Sequence, residues 1–283
     1  MTLPSAQGPP LPGRPVMHQH WRDITFVHWR VDPARLERFM PRGVRPDVHD
    51  GAGWVGLIPF RMVGAGVGRG PAVPWLGTFL ETNVRIYSHD DAGRHGVVFL
   101  SLDAERLPVV VGARLLFGTP YQWARMAASP PSMPADPTGS VVTYAARRHR
   151  APWHRAPWHR WSWHRASWHR VPWHLGGDPT GPAYPSSVQP GSRMRVRVGH
   201  PVAEPEPLDL FLTARFGLHT TVAGRVIWVP NTHGPWPLHR AELLELDDGL
   251  VTAAGLDGVV DRPPDSVLFS RGVETNFGLP VRL

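Results

Sequence analysis

Two common nucleophiles are missing from this chain. Its 283 residues contain no cysteine, and all 30 basic residues are arginine. Thiol catalysis, disulfides, Cys-based zinc sites and imine formation on a side chain are therefore closed to it. The remaining chemistry belongs to carboxylates, arginines, tyrosines and histidines. Along TFLETNVRIY, strand alternation puts Phe79, Glu81, Asn83, Arg85 and Tyr87 on one face and Leu80, Thr82, Val84 and Ile86 on the other. One apolar and one charged face fits a strand lining a polar pocket, and equally a strand with one face in solvent. In a pocket, Glu81 is a candidate acid or base and Arg85 a candidate carboxylate clamp. The structural alternative is an ion pair between the two that braces the sheet.

The loudest motif is a five-residue unit written five times between Arg147 and Gly177: APWHR, APWHR, WSWHR, ASWHR, VPWHL. Its histidines, His154, His159, His164, His169 and His174, have a spacing seen in zinc sites, and its interleaved Arg and Trp offer phosphate pairing with base stacking. No carboxylate or cysteine accompanies the histidines. A period of five suits neither helix nor strand, and Pro152, Pro157 and Pro172 oppose both. Near-identical units read as a duplicated low-complexity insertion, over 148–175, at a hairpin tip. Seven arginines and no acidic residue lie between Arg147 and Arg170, so the other 23 basic residues balance the 23 acidic ones. The net charge of +7 is thus local to the repeat, and it does not make the fold a nucleic-acid binder. GAGVGRG (64–70) lacks the Lys-Ser/Thr of a phosphate loop, and no Gly-x-Ser-x-Gly surrounds Ser101 and Asp103.

The elements that must position these side chains are mostly strands. A Pro/Gly leader (1–16) reads as disordered and lacks the pattern of a secretory signal. No apolar run approaches a membrane span, and a cytoplasmic location is the default expectation. ITFVHWRV, GWVGLIPFRMVG, TFLETNVRIY, GVVFLSLD and DSVLFSRGVETN read as strands, VDPARLERFM and LDLFLTARF as short helices, and TTVAGRVIWVP as a hairpin turning at Ala223-Gly224. LPVVVGARLLF fits a helix or a buried strand. Val141–Arg147 and Arg193–Gly199 both alternate, which predicts an antiparallel pair with the repeat looping out between them. The fold class is mainly β: one domain, 17–283, built on a closed antiparallel sheet that leaves no exposed edge.

Taken together, HWRDITFVHWRVDPARLERFMPRG, FLETNVRIYS, GVVFLSLDAERL, ARLLFGTPYQWARM, FLTARFGLHT, HGPWPLHRAELLEL and LFSRGVETNFG resemble the YqjF-like family of bacterial proteins, which is distantly similar to acetoacetate decarboxylase. The resemblance implies a cone-shaped antiparallel β-barrel around a pocket, with flanking helices. It places Arg30 at the decarboxylase's pocket arginine, Glu81 at its pocket glutamate, and Tyr121 and Gln122 at its two lysines. Arg85, on the face of Glu81, and Arg114, in the same motif as Tyr121, join the set, with His233 as a further candidate beside it. The implied ligand site is therefore Arg30, Glu81, Arg85, Arg114, Tyr121 and Gln122. It would take a small carboxylate or carbonyl compound without cofactor or metal, and a homo-oligomer is compatible with it. The alternative is a non-catalytic scaffold whose Trp/His/Arg loop contacts nucleic acid or metal. Tyr121 cannot form an imine, so Schiff-base decarboxylation is excluded. Borohydride trapping in the presence of acetoacetate is expected to leave every internal peptide unmodified; a mass adduct on any of them would overturn that exclusion.

Overall fold

An open sheet edge exposes a row of unpaired amides, and this chain removes the problem by closing its sheet. The computed structural model describes residues 5–149 and 189–283. Nearly all of the repeat, with its zinc and nucleic-acid readings, lies outside the described residues. The elements run β1 (Met17–Val31), α1 (Ala34–Glu37), β2 (Val44–Pro46), β3 (Gly53–Val67), β4 (Phe79–Asp90), β5 (His95–Ala104), α2 (Leu107–Phe117), β6 (Tyr121–Ser129), β7 (Val141–Arg148), β8 (Gly191–Pro201), α3 (Pro207–Thr213), β9 (Gly217–Val222), β10 (Arg225–His233), β11 (Leu238–Asp248), α4 (Leu250–Ala253), β12 (Ser266–Phe277) and β13 (Val281–Arg282). Strands β5–β6–β7–β8–β11–β12–β1–β3–β4 pair in turn, and β4 returns to β5, which closes a nine-stranded barrel. Two of these strands fork. β5 also meets β9, β12 also meets β10, and β9 pairs with β10.

The fork explains why β3 and β4 show little alternation in burial. Gly53 to Phe60 are all buried, and so is most of β4. One face of these strands packs Val27, Trp29, Leu57, Val84 and Ile86 against Val142, Tyr144, Met194 and Val196 of β7 and β8. The other face packs Phe26, Phe60 and Phe79 beside Trp236 and Leu238, and Tyr87 beside Phe211 and Leu212 of α3. Neither face of β4 is the solvent face that alternation alone allowed.

The predicted hairpin forms. Val141 pairs with Arg197 and Arg147 with Gly191, so β7 and β8 flank the repeat as antiparallel neighbours. The turn at Ala223-Gly224 has φ of 49° and 77°, the left-handed pair that a two-residue hairpin loop needs. The barrel is not antiparallel throughout: β5 runs parallel to β6 and to β9. A parallel neighbour requires a crossover, and α2 supplies it between β5 and β6. This settles LPVVVGARLLF as a helix, stopped by Gly118 in a left-handed conformation (φ 62°). The leader also departs from expectation. Residues 5–16 hold no regular element, yet Gly8 donates to the His233 carbonyl (3.0 Å) and Val16 to that of Phe277 (2.8 Å). Those hydrogen bonds lay the described part of the leader along β10 and β12, so it is not free.

Where β1 bulges between Arg22 and Val27, its partner β12 approaches through Gly272, at φ 113°. A Cβ there would lie 1.7 Å from the Trp21 carbonyl oxygen. Gly272→Ala is expected to lower unfolding stability by about 3 kcal/mol or more, measured by urea titration; an unchanged midpoint would contradict this register.

Candidate functional site

Glu81 sits opposite Phe60 of β3 and Ala104 of β5, on the aromatic side of the sheet. Its side chain is only 3% exposed. Tyr121, the first residue of β6, donates its hydroxyl to Glu81 Oε2 at 2.8 Å, and the Asn83 side chain bonds to the same carboxyl. Burial pushes the Glu81 pKa up to about 7; the bonds from Tyr121 and Asn83 oppose that rise and the nearby Asp103 adds to it. Burial also holds the Tyr121 phenol well above its ordinary range, with the Glu81 charge adding to the effect, so it remains a donor. Among the described residues no cation pairs with Glu81.

Four positions along the same face, about 13 Å away at strand rise, Arg85 is also buried. Its Nε donates to Tyr87 Oη (3.3 Å) and its Nη2 to the Leu212 carbonyl (3.1 Å), near the C-terminal end of α3. Its guanidinium lies over the Phe26 ring at 5.5 Å. Tyr87 Oη also donates to Leu212 O, at 2.9 Å, so its lone pairs face Arg85 and His28 Nε2. That makes His28 Nε2 the protonated ring nitrogen, and burial keeps its pKa well below the usual value, with the charges of Arg85 and Arg215 adding to the effect. The ion-pair reading of Glu81 with Arg85 is thereby ruled out by distance along the strand.

Three of the six expected site residues lie off the inner face that carries Glu81 and Arg85. Arg30 is exposed; it donates to the Asp50 carbonyl at 3.0 Å and covers Trp54. It follows Phe26 and buried His28 in the alternation of β1, but lies two residues past the last pair of β1 with β12, His28 with Ser266, and the overlay that sent it inward is corrected. Arg114 is also exposed, on α2. Its Nη1 donates to the Tyr121 backbone carbonyl at 2.6 Å, so it anchors the start of β6 from outside. Gln122 pairs with Asp103 while Tyr121 pairs with Leu102, so it points to the opposite face from its neighbour. Adjacent strand residues cannot line one cavity. His233, by contrast, is 4% exposed on the Glu81 side, against Trp236 at 5.1 Å and Phe216 at 4.8 Å. Reading single strands missed His28, Asn231, Thr275 and the Trp21–Trp236 stack (5.9 Å). Their common face follows from register across β1, β10 and β12, which no one segment carries.

A cavity of about 550 Å³ lies on the outer side of those strands, lined among others by His18, Arg69, Thr232, Glu274 and Asn276. It contains none of the expected residues, because Thr232 and His233, or Glu274 and Thr275, alternate outward and inward. Among the described residues, no cluster of histidines and carboxylates has a geometry to hold a metal, and no helix is long and apolar enough to cross a membrane.

The sequence pattern of the DUF2071 family, described as an uncharacterized conserved protein, matches residues 18–274. The chain is 28% identical over 239 residues to the uncharacterized protein YqjF of Bacillus subtilis strain 168, covering 84% of this chain and 81% of that one. Among solved structures it is similar to the enduracididine biosynthesis enzyme MppR complexed with pyruvate, with a TM-score of 0.61 at 14% identity over 95% of this chain and 91% of that one. An acetoacetate decarboxylase-like enzyme from Sphingomonas wittichii RW1 gives a TM-score of 0.61 at 16% identity over 95% and 92%. The acetoacetate decarboxylase of Legionella pneumophila gives 0.58 at 10% identity over 96% and 88%. At these identities the likeness is one of fold, and it agrees with the barrel that the resemblance implied.

The raised Glu81 pKa has a consequence for stability. A carboxyl whose folded pKa exceeds its unfolded 4.5 favours the native state below that pH and loses the advantage as pH climbs through about 7. Glu81→Gln keeps an acceptor for Tyr121 without the charge. It is expected to stabilise the protein by about 2–3 kcal/mol at pH 8 and to leave stability nearly unchanged at pH 4. Urea unfolding at both pH values checks this, and a difference that does not vary with pH would show Glu81 to be ionised like any surface carboxylate.

Proposed function

Because the chain belongs to the DUF2071 family and carries the acetoacetate-decarboxylase-like fold, we propose that its interior binds a small carboxylate or carbonyl compound at Glu81 and Tyr121. The observation that carries this reading is a glutamate 3% exposed, bonded by Tyr121 and Asn83 and left without a cationic partner among the described residues. A buried carboxyl held near neutrality is unfavourable for folding and useful to a ligand site. In its protonated form Glu81 donates to a ligand carbonyl or carboxylate; ionised, it accepts a hydrogen bond from a ligand O–H or N–H. Tyr121 is partly exposed and stands between Glu81 and the outside. Arg85, with Leu212 and Tyr87 fixing two of its donors, presents the remaining face of its guanidinium to the interior as a positive field for a carboxylate.

MppR is described in complex with pyruvate, and pyruvate is the natural first probe here. No lysine is present to condense with it, so binding would be non-covalent and reversible on dilution. The sign of the pH dependence follows from Glu81. A ligand carboxylate is repelled by ionised Glu81 and accepted by the neutral acid, so affinity should fall as pH rises through about 7. The pyruvate-induced rise in thermal midpoint is expected to be larger at pH 6 than at pH 8 in the wild type, and independent of pH in Glu81→Gln. A shift of equal size at both pH values in the wild type would sink the role given to Glu81.

A further inference from the structure

Glu81 is one end of a longer polar lining. On the same inner side lie five buried side-chain atoms with no hydrogen-bond partner among the described residues: Asn83 Oδ1, Trp21 Nε1, Asn231 Oδ1, His233 Nε2 and Thr275 Oγ1. The register gathers them. His233 of β10 stands directly opposite Thr275 of β12, and Asn231 is two residues back on the same face. The Trp21 ring centroid is 6.2 Å from that of His233 and 6.0 Å from that of Phe60, the residue paired with Glu81. Asn83 is two residues from Glu81. Thr275 is fully buried, and Asn231, His233 and Asn83 are 4–6% exposed.

Buried polar atoms are nearly always satisfied, because leaving one unmade forfeits most of a hydrogen bond's worth. Five on one inner surface point to a polar guest, and their chemistry limits its kind. His233 Nδ1 lies 2.8 Å from the Gly234 carbonyl, which can only accept, so Nδ1 carries the proton and Nε2 is a lone pair. Burial lowers the pKa of this imidazole, with the Arg85 charge as a further cause, against the backbone carbonyls of Gly234 and Arg215 beside the ring. Asn83 spends its amide donor on Glu81, leaving an acceptor. Asn231 presents a second amide oxygen. The wall therefore holds three acceptors, one donor (Trp21) and one hydroxyl that can play either part. An anion would meet lone pairs here.

We propose that the β10–β12 wall, Asn231, His233 and Thr275, recognises a hydroxyl or primary amide on a small molecule whose carboxylate or carbonyl end lies at Glu81 and Tyr121. The inference rests on the preceding reading of Glu81 and adds the ligand's class: a short acid or oxo acid carrying an O–H or N–H donor at its far end. The rings of Trp21, Trp236 and Phe26, packed against one another on the same side, offer apolar surface to a short carbon chain.

The test is binding by thermal shift and calorimetry of 4-hydroxybutanoate, glutaramate (5-amino-5-oxopentanoate) and their O-methyl and N,N-dimethyl counterparts, with pyruvate alongside. The proteins are the wild type, Thr275→Val, Asn231→Leu, His233→Phe and Glu81→Gln. At least one donor-bearing acid is expected to bind about tenfold tighter than its capped counterpart, and the preference should vanish in Thr275→Val. Without ligand, Thr275→Val should unfold at or above the wild-type temperature, since it removes a hydroxyl the fold leaves unbonded. If Thr275→Val does not fold, His233→Phe and Asn231→Leu carry the same comparison. Capped and uncapped acids binding alike, no acid binding at all, or ligand-free variants that each lose several degrees would overturn the proposal. The two readings fail separately. Pyruvate binding without any donor preference defeats the polar wall and leaves Glu81 standing. A donor preference among acids whose affinity is the same at pH 6 and pH 8 defeats the role of Glu81 and leaves the wall.

Discussion

Glu81, Asn83, Arg85 and Tyr87 share one face of a strand that has protein on both sides. Polar groups removed from water must find partners inside or destabilise the fold. Much of the surrounding architecture answers that requirement. The C-terminal end of α3 supplies it at one end of β4: the Leu212 carbonyl accepts from both Arg85 and Tyr87, and the Thr213 carbonyl accepts from Trp236 Nε1 at 3.0 Å. The last carbonyls of a helix have no partners within it and carry partial negative charge. Aiming an arginine, a phenol and an indole at them satisfies both sides, and it docks α3 against the barrel.

The other end of β4 is supplied differently. Tyr121 reaches Glu81 only because β6 runs parallel beside β5, and that direction exists because α2 carries the chain back across the barrel. Arg114 on α2 then holds the Tyr121 backbone. On the opposite face, Arg148 of β7 grips fully buried Asp103 of β5 through two bonds, 2.7 and 3.0 Å, and ties together the two strands that flank β6. A buried charge with a bidentate arginine is well compensated. Glu81 has only neutral donors, and burial raises its pKa to about 7.

The shared barrel does not carry shared chemistry. This chain has a phenol and an amide where the resemblance puts two lysines, and it has no lysine elsewhere. A phenol with a raised pKa donates a hydrogen bond but forms no imine. Tyr121 thus donates a hydrogen bond to Glu81, in a fold also seen in an acetoacetate decarboxylase and in an enzyme complexed with pyruvate.

The amino-acid sequence by itself determined the inventory and the local periods. Without lysine or cysteine no imine or thiolate can form, whatever the fold. Alternation marked Glu81 and Arg85 as one face, the segments beside the repeat as paired strands, and Ala223-Gly224 as a hairpin turn, because period and turn conformation are properties of a few adjacent residues. Tertiary structure decided which polar residues meet. Arg30 and Glu81 are separated because Arg30 lies past the last pair of β1 with β12, opposite Trp54, while Glu81 lies opposite Phe60. Gln122 turns away from Tyr121 because neighbouring strand residues alternate. Asn231, His233 and Thr275 come together only through the pairing of β10 with β12, strands joined by more than 30 residues of chain. Register between distant strands is set by how the whole sheet closes, and no local pattern encodes it.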